Sequence, residues 1–216
     1  MIGAAAGVVA LGSALALVFS LSRGFGPHID PAPYQAVGRV LARQSLAFLK
    51  PGGRVTVITR DTLSFQNPAT DCQLASFRKE LGKAGVKIDS LQALQIDPLR
   101  PTTVPAGDFL QWIKKASKGD VLVSFMGPPI FNDTQLAQLG DVKPAIVAFC
   151  SGSVRDQVDL RSLFSLGLLR AAVVSKRSAA VRNGPAASER ELFDRQFVEV
   201  TADNIAAFSA VSNPAP

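Results

Sequence analysis

Residues 54–59 read Arg-Val-Thr-Val-Ile-Thr, directly after Gly52-Gly53. Every side chain from Val55 to Thr59 is branched at Cβ. Such residues lose rotamer freedom in a helix and pack well on a pleated sheet. The run is too short for a helix and reads as a strand buried on both faces, the habit of parallel sheets. Similar runs stand at 120–125 (DVLVSF), 144–149 (PAIVAF) and 168–174 (LLRAAVV). Weaker strand patterns lie at 86–96 and 197–200.

Helical spacing fills the intervals. Leu74, Phe77 and Leu81 share a face of a helix predicted over 70–84, with Gly85 as its stop. Phe109, Trp112, Ile113 and Ala116 do the same over 105–117. Further helices are predicted over 34–49, 132–139, 154–166, 188–195 and 201–210. Strands separated by single helices pair in parallel through right-handed crossovers. The expected fold is α/β, a three-layer sandwich around a mostly parallel five- to six-stranded sheet. Ligands on such sheets sit beyond the carboxyl ends of the strands.

Residues 1–22 carry no charged side chain, and Arg23 ends the run. At ~1.5 Å per residue they reach roughly 33 Å, enough to cross a hydrocarbon core of about 30 Å. They read as one transmembrane helix, a signal anchor. A cleaved signal peptide fits less well, since no Lys or Arg precedes the run and it exceeds the usual ~7–15 residues. The expected organisation is an anchor at 1–22, a Pro- and Gly-containing linker at 23–33, an α/β domain at 34–210 and a disordered tail at 211–216. That places a single-pass protein in the cell membrane, with the domain on the extracytoplasmic side.

The 216 residues are 47% hydrophobic and 19% charged, which excludes a disordered chain, and the net charge is +6. Two cysteines and one histidine, His28, do not make a zinc site. A disulfide between Cys72 and Cys150 is one option for an exported domain. No metal, cofactor or acid/base constellation is expected, so the chain reads as no enzyme.

Four phrases resemble one lobe of a type I periplasmic-binding protein. They are GGRVTVITRDT, FRKELGKAGVKI, FLQWIKKASKGDVLVSFMGPP and KPAIVAF, within Gly52–Ser153. The resemblance implies a fold in which two lobes close on a small ligand. This chain has room for one lobe. A lone lobe leaves its cleft face free for another protein or a second copy.

The strand ends supply the candidate residues. Thr59, Arg60, Asp61 and Thr62 follow the first strand. Arg60 suits a carboxylate or phosphate clamp, and an Arg–Asp surface pair is the plainer alternative. Gly127 and Pro128 follow the third strand as a stiff turn that would shape a rim. Ser151 and Ser153 follow Cys150 and would hold an anion with backbone N–H groups, or simply cap a helix. Arg170, Lys176, Arg177 and Arg182 form a basic stretch suited to anionic lipid or an acidic partner. The loop at 176–187 has no aromatic residue for base stacking, so nucleic acid is not an expected partner.

The expected function is that of a membrane-anchored, non-enzymatic domain serving as an accessory or structural subunit of an envelope protein complex. Its partners would be the membrane, through residues 1–22, other proteins of the complex, and a second copy in a homodimer. The alternative is a small-ligand binding or sensing module. A pocket at Arg60, Ser151 and Ser153 would favour the ligand; a flat apolar face would favour a protein partner.

Overall fold

The structure, a computed structural model, describes residues 29–62, 66–95, 103–140, 143–177 and 188–212. The expected anchor at 1–22, most of the linker, Arg182 and the last four residues lie outside the described residues. Among the described residues no helix is long and apolar enough to cross a membrane.

The elements run α1 (Pro31–Phe48), β1 (Val55–Arg60), α2 (Pro68–Lys83), β2 (Ile88–Leu94), α3 (Ala106–Lys115) and β3 (Val121–Ser124). There follow α4 (Asp133–Ala137), β4 (Ala145–Cys150), α5 (Val154–Gln157), α6 (Leu160–Ser165), β5 (Leu169–Ser175), α7 (Glu189–Gln196), β6 (Phe197–Thr201) and α8 (Ile205–Ser212). The six strands form one sheet in the order β2-β1-β3-β4-β5-β6. Strands β1 to β5 pair in parallel, whereas β6 is antiparallel to β5.

Two cores explain the layers. Along β4, Ala145, Val147 and Phe149 enter one core with α1, α2 and α7. Ile146, Ala148 and Cys150 enter the other with α3, α4, α6 and α8. The two-residue period of a strand produces this split. Strand β2 lies at an edge and alternates half-buried with exposed residues.

Several element boundaries depart from the sequence expectation, among them that of the last helix, which runs Ile205–Ser212 and takes in two residues of the expected tail. Helix α1 starts inside the expected linker, at Pro31. Asp30 caps it by accepting the Ala32 N–H at 3.0 Å. Pro31 and Pro33 are tolerated because first-turn N–H groups have no partner within the helix. Helix α2 starts at Pro68 for the same reason, with Asn67 Oδ1 accepting the Thr70 N–H at 3.0 Å. The helix expected over 154–166 is two short helices. Val158 is extended, and Asp159 caps the second by accepting the Ser162 N–H.

Helices α1 and α2 approach closely at Gly38. A Cβ there would lie 2.1 Å from the Gln73 carbonyl oxygen and 2.1 Å from Ser76 Oγ. Only a residue without a side chain lets these backbones meet.

Asp120 anchors the amino end of β3. Its carboxylate accepts the N–H of Arg54 and of Ser117, each at 2.8 Å, and the Arg54 guanidinium at 3.2 Å. Burial alone would raise its pKa, but the Ser117 and Arg54 donors outweigh it and hold the carboxyl below the ordinary aspartate value. The stabilisation is therefore full above about pH 4 and is lost as pH falls through the lower folded value. Asp120→Ala is expected to cost about 2 kcal/mol at neutral pH. Urea unfolding at pH 7 and pH 3 should show the gap to wild type shrinking at the lower pH. A gap independent of pH would contradict this account.

Candidate functional site

The strand order reverses between β1 and β3, the place where open parallel sheets leave a crevice beyond their carboxyl ends. A cleft of about 370 Å3 opens at that end of the sheet. Arg60 closes β1, Phe125 follows β3, Phe149 lies in β4, and Ser151 and Gly152 follow it. Asn67, Ala69, Thr70 and Gln73 bring in the first two turns of α2. Tyr34 of α1, Ser175 at the end of β5, Lys176 after it, and Gln196 and Phe197 complete the lining.

The aromatic side is rigid. Phe149 and Phe197 meet edge to face with centroids 5.7 Å apart, and Tyr34 meets Phe197 at 6.4 Å. Such contacts fix ring positions without any polar partner. Helix α7 and strand β6 are tied to α1 beside them. Arg39 of α1 meets Glu189 at 2.6 Å, and Gln44 hydrogen-bonds Glu199 of β6.

The polar side holds an unusual group. Gln73 is 2% exposed, and its Nε2 has no hydrogen-bond partner. Thr59, 3% exposed, also leaves its Oγ1 unpaired. By strand alternation Thr59 faces the same core as Val55 and Val57, beneath α1 and α2. A buried polar atom without a partner costs about 1–3 kcal/mol, and native folds rarely keep one without use.

The residues singled out from the sequence separate into groups. Arg60 and Ser151 line the cleft. Asp61 binds the Leu94 carbonyl through its N–H at 2.8 Å, extending the β1–β2 pairing, and neither it nor Thr62 lines the cleft. Gly127 and Pro128 are buried and turn away from it. Gly127 has a φ of +84°, its carbonyl accepts Ser124 Oγ–H at 2.6 Å, and a Cβ there would strike Val154. Their part is to turn the chain tightly against α5. Ser153 is exposed at the start of α5, makes no side-chain cap, and does not line the cleft.

The basic stretch is also divided. Arg170 is exposed near the amino end of β5, roughly 20 Å of extended chain from Lys176. Arg177 pairs with Asp156 at 2.9 Å. Lys176 alone of the four reaches the cleft among the described residues.

Cys72 and Cys150 are free thiols. They sit on opposite sides of the sheet: Cys72 on α2, Cys150 in the core packed under α3 and α6. Complete burial pushes the Cys150 thiol up to about 12, so it stays protonated and carries no nucleophilic chemistry. Among the described residues no cluster of His, Cys, Asp or Glu is arranged to hold a metal ion.

Asn67, Thr70 and Gln73 are among the cleft residues that strand-end reasoning misses. The Asn67-Pro68 pair is the available signal, because an N-cap followed by proline marks a helix start.

No protein-family model and no curated protein matches the sequence. Solved structures do match in fold. One is a carbohydrate transporter solute-binding protein from Agrobacterium radiobacter, in complex with D-arabinose, with TM-score 0.52 and 13% identity over 83% of this chain and 62% of that one. Another is AraP, an arabinose binding protein from Geobacillus stearothermophilus, with TM-score 0.50 and 15% identity over 81% of this chain and 63% of that one. This chain spans less than two thirds of the length of either. At these identities the likeness is one of fold, and the fold is that of a single, partial lobe of the type I periplasmic-binding-protein kind.

Proposed function

We propose that the domain is a binding or sensing module that takes a small polar molecule in the strand-end cleft. The unpaired Nε2 of Gln73, buried at the cleft lining, carries this reading. A group that costs stability when empty is what a ligand would satisfy. The fold and the volume agree with it, since small-molecule sites run from about 300 to 1,000 Å3. The strand-end face is a concave, mixed polar and aromatic surface. That favours a ligand over the flat apolar docking face an accessory subunit would offer.

The apolar stretch 1–22 would tether the module to a membrane, with the cleft on the extracytoplasmic side. Closure over the ligand would need a second body, either a protein partner or a second copy of the chain. In that form the subunit reading survives as the module's setting and not as its activity.

The test is Gln73→Met, which keeps the length of the side chain and removes the orphan amide. Its stability is expected to match wild type or exceed it by up to about 1 kcal/mol. Its affinity for the ligand found in a thermal-shift panel of pentoses, hexoses, sugar acids and sugar phosphates is expected to fall at least tenfold. A stable variant that binds as wild type does would overturn the role of Gln73.

A further inference from the structure

We propose that the ligand is a small anion, a carboxylate or phosphate monoester that also carries hydroxyls. This deepens the reading of the cleft as a ligand site and rests on it. The cleft lining carries cationic side chains and open donors and, among the described residues, no acid. Among the described residues the Arg60 guanidinium makes no hydrogen bond or ion pair. Gln73 Nε2 is a second unused donor. Asn67 spends its oxygen on the Thr70 N–H, which leaves its amide N–H2.

The first turn of α2 adds one more donor. The Thr70 N–H goes to Asn67 Oδ1 and the Asp71 N–H to the Asn67 carbonyl, while the Ala69 N–H remains at the cleft.

The backbone carbonyls on the β5–α7 side of the cleft already have donors. The Ser175 carbonyl takes Arg155 Nη1–H at 2.7 Å. The last carbonyls of α7 would repel an anion. Lys176 covers them, its Nζ donating to Asp194 and its N–H to Gln196 at 2.8 Å. Among the described residues no Asp or Glu lines the cleft. Asp61 and Asp71, the nearest acids in sequence, are not among its lining residues. Arg60 and Lys176 are the charged side chains of the lining, and a guanidinium bonds an anionic group more strongly than a neutral hydroxyl.

The experiment is calorimetric titration of the full chain in mild detergent near neutral pH. The probes are D-glucuronate, D-glucose 6-phosphate, D-glucose and inorganic phosphate. At least one charged sugar should bind tenfold or more tighter than glucose, with an affinity that falls as salt rises. Arg60→Gln should erase that preference, and Arg60→Lys should keep part of it. Glucuronate against glucose 6-phosphate separates carboxylate from phosphate. Glucose binding as tightly as both charged sugars would overturn the anion inference and leave the ligand site standing. So would an unchanged preference in Arg60→Gln. Inorganic phosphate binding as tightly as glucose 6-phosphate would overturn the requirement for hydroxyls. No heat from any probe, and none from the wider sugar panel, would overturn the site reading itself.

Discussion

Phe77→Ala is expected to lower the unfolding free energy by about 4 kcal/mol, the upper part of the range for a buried aromatic. Phe77 is fully buried on the inner face of α2 and meets Phe125 edge to face, with centroids 5.5 Å apart and planes at 86°. Removing the ring deletes its apolar burial and leaves a cavity that a helix pinned at Gly38 cannot close. A small domain has only about 5–15 kcal/mol in total, so this is a large share. Phe125 lines the cleft. The same change should therefore loosen the floor of the site and weaken binding beyond what the folded fraction explains. Urea unfolding followed by circular dichroism reads the first effect. A loss under about 1 kcal/mol would mean that α2 does not seat on the sheet as described.

Gly38→Ala should be nearly as damaging, at about 3 kcal/mol, although the change adds a single methyl group. The methyl would stand 2.1 Å from the Gln73 carbonyl oxygen, a backbone atom inside α2. Backbone within a helix cannot step aside as a flexible side-chain tip can. The two helices must part, and Gln73 moves with them. At about 2–4 °C per kcal/mol for a chain this size, the midpoint should drop roughly 6–12 °C. A helix interior ordinarily gains about 1 kcal/mol from glycine to alanine, so the propensity and packing arguments predict opposite signs. A midpoint that rises would show that α1 and α2 are not in contact there.

The elements legible in the sequence are those whose signal is local. The runs at β1, β3, β4 and β5 are continuous and apolar because both faces of a parallel sheet are covered. Helix α3 shows its buried face in Phe109 and Ile113. The direction of β6 is not legible, because no short pattern tells an antiparallel edge strand from a parallel one. The break at Val158–Asp159 is hidden by apolar spacing that continues across it. The site divides along the same line. Arg60 and Ser151 follow from the rule that strand ends carry ligands. Gln73 does not, since a glutamine on a helix reads as a surface residue. Its burial is set by Gly38, on a different helix with a strand between them in sequence. The Gly127 turn and Ser153 satisfy the same strand-end rule yet point elsewhere, because the rule fixes the end of the strand and not the path of the loop.

The strand order also sets a timetable for the chain as it is made. Val55 of β1 pairs with Ile88 of β2 on one side and with Val121 of β3 on the other. The first pair can close once α2 and β2 have emerged. The second must wait for α3 and all of β3. Until then β1 offers an unpaired row of N–H and C=O groups along a β-branched edge, the kind of edge that joins neighbouring chains. Non-local parallel pairing of this kind is also slow, because loop-closure entropy is lost before contacts repay it. A strand paired on both sides in the finished domain is thus, until β3 emerges, its most adhesive margin. Crowded expression is where that exposure would tell.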